Sequence, residues 1–552
     1  MSASSKKKLR KELKEAKMTE RQKQERAEAK KVKRLTFAFV AVIVLILGIF
    51  IGSRVMDGIT RYGLFEKNTI AATVGSHKLN SVTMNYFFRD AVDNAYNTAY
   101  QYYGEEASQY VGFDVAKPLN EQVKDQESGQ TWADYFFEQA MDNARAIYTM
   151  YDAAKAANFT LPEDAKTSIA SNLSNMQLTA AFSGFSSFDH YLREVYGNGS
   201  DAKNYEEYLT MQVTASAYYE YYQTTLNYDD AAIRAYDTEH PNEFSSYNFH
   251  SYYLNHTSFR TGGTTDDKGT TTYSAEETEA ARKAAEAAAN ELTKATTVEE
   301  LDAAIAALEI NKDATTTPKS TANTEVLHSN LLAEYSEWLG ASDRKAGDIK
   351  AFPSTSTSTD ADGNSTEVIN GYYVLMFDSR VENETKMGNI RQVLIACEGG
   401  TTDANNKTTY SDDEKAAAHT KAEELLQKWK DEGSTKEGFI SMIKDVNQNE
   451  TADDTIGLVE NVNKQSSAVY ASWALDASRK AGDTTIIDTT NGSYIVYYEG
   501  DSQLNYRDYM ISQAKKSEDL TAWETGIIEA VEPVKGDTSK VKMWLVYIPS
   551  AE

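Results

Sequence analysis

The 552-residue chain contains one cysteine, so no intramolecular disulfide can staple it. That residue, Cys397, ends the β-like run Val393-Leu394-Ile395-Ala396-Cys397. A lone thiol on an apolar strand is expected in the core, where it tolerates an oxidising compartment. No cysteine follows the N-terminal apolar run, so a lipidated N-terminal cysteine is not expected. Histidine is also sparse. The seven (His77, His190, His240, His250, His256, His328, His419) are scattered, with no zinc spacing. The serine-rich stretches lack a nucleophile elbow, and Gly262-Gly263 sits in a Thr-rich loop without a phosphate-binding pattern. Asp360-Ala361-Asp362-Gly363-Asn364 faintly resembles a calcium loop but lacks the full ligand set and the distal Glu. No metal and no cofactor are expected.

Charge is unevenly placed. Residues 1–34 carry about +9, whereas the whole chain is −27, leaving about −36 on the remainder. Between the two lies the uncharged run 35–52, LTFAFVAVIVLILGIFIG. At ~1.5 Å per residue it nearly crosses a ~30 Å hydrocarbon core. A secretory signal peptide is the rival reading, but no strong small-x-small cleavage site follows. The expectation is a single transmembrane helix at 35–53. Positive flanks stay inside, so the basic tail is cytoplasmic and residues 54–552 are extracytoplasmic, in the cell membrane. The acidic remainder argues against nucleic acid as a partner.

A duplication organises the rest. Arg344-Lys345-Ala346-Gly347-Asp348 recurs as Arg479-Lys480-Ala481-Gly482-Asp483, each following a tryptophan, Trp338 or Trp473, at the same distance. Thr272-Tyr273-Ser274 recurs as Thr409-Tyr410-Ser411, and Asn370-Gly371-Tyr372-Tyr373 as Asn491-Gly492-Ser493-Tyr494. Landmarks kept in one order at this separation indicate a duplicated domain rather than a solenoid. Each copy reads as strand, long helix, short helix, irregular segment, short helix, strand, which is an α+β module with a small antiparallel sheet. The long helices open on capping boxes, Ser274-x-x-Glu277 and Ser411-x-x-Glu414. Residues 351–366 are Ser/Thr/Asp-rich and read as a surface loop before the closing strand. Upstream, residues 81–226 are helical in pattern and studded with tyrosine, which suggests a surface apolar yet wet at its edge. Near the end, 506–530 reads as a final helix and 541–548 as a last strand.

The module order resembles the parvulin-type peptidyl-prolyl isomerase domain. Arg391-Gln392-Val393-Leu394-Ile395 is similar to that family's opening strand, and Ala471-Ser472-Trp473-Ala474-Leu475 to the segment holding its pocket aromatic. Ala481-Gly482-Asp483 is similar to the turn that follows, and Asn491-Gly492-Ser493-Tyr494-Ile495-Val496 to its closing strand. Ala71-Ala72-Thr73-Val74-Gly75 before a Tyr/Phe-rich helix resembles the chaperone region of PrsA- and SurA-type foldases. The resemblance implies a helical chaperone domain at 68–243, parvulin-like modules at 244–380 and 389–500, and a segment at 505–552 that packs back on the chaperone domain.

It does not carry the chemistry over. The family's two facing histidines fall at Gln392 and Tyr494 in the second copy. In the first copy the closing position is Tyr373, and His250 lies near the opening one but a residue out of register. Such a slip turns a side chain to the other face of a strand. Trp338, Trp473 and Tyr470 remain as candidate substrate-binding aromatics, with plain core packing as the other reading for the tryptophans. The expected function is a membrane-anchored folding factor that binds unfolded or newly secreted polypeptides, with peptidyl-prolyl isomerase activity weak or absent. The alternative is a non-enzymatic envelope scaffold built from duplicated modules. A homodimer is left open.

Overall fold

A computed structural model describes Lys7, Lys8, residue 56 and residues 58–114, 117–359, 365–404 and 406–543. No described helix is long and apolar enough to cross a membrane. The apolar run 35–52, the calcium-like segment 360–364 and the end of the expected last strand lie outside the described residues. Residues 541–543, where that strand would begin, are not extended into a ladder.

The chain is α+β with small antiparallel sheets and forms two compact units. One runs to Leu226 and resumes at Asp519; the other is Asn227–Glu518. In the first unit a short helix, Leu64–Asn68, leads into a hairpin, β1 (Ile70–Val74) and β2 (His77–Asn80). Asn80 then caps α1 (Ser81–Tyr103), its side chain accepting from the Thr83 N–H at 2.9 Å. Helices α2 (Trp132–Ala156), α3 (Glu163–Phe182), α4 (Phe188–Tyr196) and α5 (Ala202–Thr225) follow. Phe87, Phe136, Phe137 and Leu192 are fully buried among them. The chain's end rejoins this unit. Trp523 stacks on Tyr222 with ring centroids 3.7 Å apart, and the short strand Pro533–Lys535 pairs with β1.

The second unit begins with α6 (Asp230–Glu239), followed by two modules. The first contains β3 (Ser246–Asn255), α7 (Ala275–Leu292), α8 (Val298–Ala307), β4 (Thr321–Leu327), α9 (Ala333–Gly340), β5 (Ile349–Thr359) and β6 (Ser365–Val381). The second repeats it as β7 (Gly388–Ala396), α10 (Asp412–Asp431), α11 (Lys436–Val446), β8 (Leu458–Val462), α12 (Ala471–Ala474), β9 (Thr484–Thr489) and β10 (Gly492–Asp501). Both sheets have the same antiparallel order, β4-β3-β6-β5 and β8-β7-β10-β9. Helix α13 (Tyr506–Glu529) follows.

The two capping boxes form as the sequence requires, and each glutamate does a second job. Glu277 accepts from the Gly263 N–H at 2.9 Å and Glu414 from the Gly400 N–H at 2.7 Å. Each thereby fastens a small threonine hairpin to the start of its helix. One expectation is corrected. The described residues among 351–366 do not form a loop; β5 and β6 pair as long antiparallel strands out to Thr359↔Ser365. Ser and Thr give no apolar alternation, but Thr suits a pleated strand and cross-strand hydroxyls bond each other. Thr359 and Ser365 do so at 3.0 Å. The irregular segment of each copy likewise contains an edge strand, β4 or β8.

Candidate functional site

The repeated Arg-Lys-Ala-Gly-Asp segment is a backbone clasp. Gly347 and Gly482 have φ of 89° and 93°, a region that favours glycine. Asp348 accepts from the Lys345 N–H at 3.0 Å, as Asp483 does from Lys480. The turn then locks onto the last strand of its module. The Gly347 N–H donates to the Phe377 carbonyl at 2.8 Å, and the Phe377 N–H donates to Asp348 at 2.8 Å. Gly482, Tyr498 and Asp483 repeat this pair at 2.9 and 2.8 Å. The arginine folds over the preceding tryptophan, Arg344 at 5.1 Å from the Trp338 centroid and Arg479 at 5.0 Å from that of Trp473. Each half-buried indole is therefore gripped by its own module.

Those tryptophans stand on the sheet face turned away from α7, α8, α10 and α11. In the second module, Val393, Ile395, Ile495 and Tyr497 pack beneath α10 and α11. Ile390, Val496, Tyr498, Tyr494, Tyr470 and Trp473 form a separate cluster on the opposite face. Gln392 lies directly across from Val496, and Tyr494 across from Leu394, on the two central strands. Strand alternation puts Gln392 and Tyr494 on that same face. The rings of Tyr470 and Tyr494 meet edge to face at 6.3 Å.

The first module repeats the arrangement with different side chains. The clasp equates Phe377 with Tyr498, which sets the whole register. Ser251, opposite Leu375, corresponds to Gln392, and Tyr373 corresponds to Tyr494. Tyr335, three residues before Trp338, meets Tyr373 edge to face at 5.8 Å, as Tyr470 meets Tyr494. Tyr335 escaped the sequence reading, although the spacing Tyr-x-x-Trp occurs in both copies. His250 lies opposite Met376, a member of the helix-side core, with Nδ1 3.0 Å from Ser320 and Nε2 3.6 Å from Asp378. Its counterpart is Arg391, which binds Glu499. His250 thus takes the place in the first module that Arg391 holds in the second, separated from Tyr373 by the thickness of the sheet.

The face carries no imidazole and no carboxylate among these residues. Burial raises the phenols of Tyr335 and Tyr470 above their ordinary pKa, so both stay protonated near neutrality. The arrangement can hold an apolar or aromatic side chain. Cys397 is buried and free, its N–H donating to the Asn491 carbonyl at 2.9 Å. Among the described residues, no three His, Cys, Asp or Glu side chains converge to hold a metal.

The first unit provides a different kind of surface. Residues 94–104 and 167–188 carry no charged side chain in a chain of net charge −27. On the first stretch and just beyond it, Tyr100, Tyr102, Tyr103 and Tyr110 are exposed, and Tyr103 stacks on Tyr110 at 4.2 Å. On the second, Leu178 and Phe182 are exposed, Phe182 by 79%. Other tyrosines of this unit are core. Tyr196, Tyr205 and Tyr208 pack ring to ring around Tyr86, and Asp90 accepts from the Tyr208 hydroxyl at 2.6 Å. No protein-family model matches the chain, and no curated protein matches it.

Proposed function

We propose that this chain is a membrane-anchored, extracytoplasmic folding factor that holds unfolded polypeptides. The carrying observation is the exposed apolar side chains on uncharged helical stretches of the first unit, Tyr100, Tyr102, Tyr103, Leu178 and Phe182, with Tyr110 stacked beside the first stretch. Exposed aromatic surface of this kind fits partners of varied sequence, since a tyrosine buries apolar area while its hydroxyl stays wet. The run 35–52 is the anchor in this reading. The paired modules, parvulin-like by their order of elements, extend the binding surface. Gln392 and Tyr494, and Ser251 and Tyr373, stand where an isomerase of that family would need imidazoles, so prolyl isomerase activity is weak or absent.

A scaffold reading draws support from the arginines that cover Trp338 and Trp473, since a covered indole packs more readily than it binds. Aggregation of an unfolded client protein, followed by light scattering, separates the two. The full chain in detergent is expected to suppress scattering at stoichiometric amounts, and Tyr102→Ser with Phe182→Ser to weaken it several-fold. Suppression that survives the double substitution, or is absent from the start, sinks the reading. A prolyl-peptide isomerisation assay is expected to give a rate close to the uncatalysed one.

A further inference from the structure

The second unit contains a groove that belongs to neither sheet face. It has a volume of about 690 Å3, within the ~300–1,000 Å3 of sites that hold a drug-sized ligand. Both modules contribute to it, through the end of β4 and the loop after β8, and α13 closes one side. Phe244, Leu327, Tyr506 and Met510 supply apolar surface. Gln465 and Gln513 stand exposed at the rim, where amide groups can pair with a peptide backbone of any sequence.

We propose that this groove takes one extended stretch of an unfolded chain, with apolar side chains flanked by Lys or Arg. The inference rests on the folding-factor reading and names the segment such a protein would select. Charge complementarity commits the occupant. Glu243 is the one formally charged residue lining the groove, and no Lys or Arg lines it. Glu243 accepts from His240 at 2.9 Å and, with Glu518 and Glu239, raises that imidazole's pKa above 6.5, so three carboxylates at this end face one partly compensating cation. A cationic segment is drawn to this end, whereas an acidic one is repelled. His328 adds a polar anchor. Burial holds its pKa below the ordinary value, and its buried Nδ1 has no hydrogen-bond partner. A peptide N–H or C=O, according to tautomer, can satisfy that nitrogen once the ring turns toward the groove.

The test uses the full chain and two fluorescein-labelled nonapeptides, one alternating Leu with Lys and one alternating Leu with Glu, with binding read by anisotropy. The basic peptide is expected to bind at least tenfold more tightly. Gln513→Trp and Ser329→Trp, both at exposed positions beside the groove, should weaken it about tenfold with unchanged thermal midpoints, and Glu243→Lys should abolish the preference. Equal binding of the two peptides by wild type, or tryptophan variants that bind as wild type, overturns the proposal. Should a tryptophan variant unfold, the His328 ring signals of the wild type decide. They shift on titration with the basic peptide if the groove is the site, and their failure to move overturns it. Failure here with aggregation suppression intact removes the groove alone; loss of suppression removes the folding-factor reading beneath it.

Discussion

Replacing Arg391 with Met tests whether the second module is held by the ion pair that crosses its sheet. The Arg391 side chain is 4% exposed and that of Glu499 11%. Arg391 binds Glu499 and also donates to the Ile456 carbonyl at 2.9 Å. Removing one member of a buried pair costs about 3–5 kcal/mol when the other charge is stranded. Here Glu499 keeps Lys436 at 2.6 Å, and the Lys436 side chain reaches solvent. That lowers the cost, while the abandoned Ile456 carbonyl restores part of it, at about 1–3 kcal/mol. The methionine retains most of the apolar packing. The expected loss is about 2–4 kcal/mol, an increase of roughly 30- to 700-fold in the exchange of β7 and β10 amides that open with the module. Hydrogen exchange read by mass spectrometry on the full chain measures it locally. Arg391→Met with Glu499→Met should recover most of the loss, because a buried pair replaced by apolar side chains is often near neutral. His250→Met should cost under ~1 kcal/mol, since Asp378 is more than a third exposed and 3.6 Å away. A single Arg391→Met variant within threefold of wild type, or a double variant no better than the single, refutes the reasoning.

Three further outcomes follow from other sites. Asn383 is buried with φ 64°, and its amide donates to the Phe244 carbonyl at 2.8 Å and to Ser246 at 3.1 Å. Asn383→Ala should destabilise the second unit by about 2–4 kcal/mol, and Asn383→Gly by about 1 kcal/mol less, in urea unfolding. Burial is the main cause that raises the Asp90 pKa above 3.8. The folded state therefore binds that proton more tightly and loses stability as pH rises from 3.8 through the raised value. Asp90→Asn should leave the thermal midpoint unchanged below that window and raise it at pH 7. The hydrogen bond to Asp488 at 2.8 Å raises the His419 pKa above 6.5. Its stabilisation is full below 6.5 and lost as pH rises through the raised value. His419→Gln should remove that part of the pH dependence, read as thermal midpoints between pH 5 and 9.

What the sequence disclosed was local. Ser274 with Glu277 and Ser411 with Glu414 announce helix starts because a capping box is a spacing rule within four residues. The strands it concealed lack apolar alternation. Residues 354–359 are all Ser or Thr, and β8 offers five residues too mixed to show a period. The role of His250 was concealed for another reason. In linear alignment a histidine invites comparison with a histidine position. Its equivalence to Arg391 emerges only from the pairing of β3 with β6, fixed by the clasp at Gly347. Tyr335 was overlooked although its spacing to Trp338 is printed twice, because its contact with Tyr373 spans 38 residues.

The two modules keep and change different things, and the division has a physical basis. The parts kept are those that satisfy backbone donors. Glu277 and Glu414 hold the N–H groups of a glycine and a serine, while Asp348 and Asp483 close the clasp. These bonds involve no side chain on the open sheet face, so they fix the shape of a module without constraining what that face presents. The faces have accordingly diverged. Phe249, Tyr253 and Phe352 in the first stand where Ile390, Leu394 and Ile487 stand in the second. The first face is the more aromatic, and its Tyr253 and Tyr373 rings sit 4.7 Å apart. If these faces contact clients, the first should favour planar or cationic side chains, through stacking and cation–π attraction, and the second branched aliphatic ones. On the proposed folding-factor reading, two unlike faces on one clasped framework would widen the range of segments a single chain could hold, which identical copies would not do.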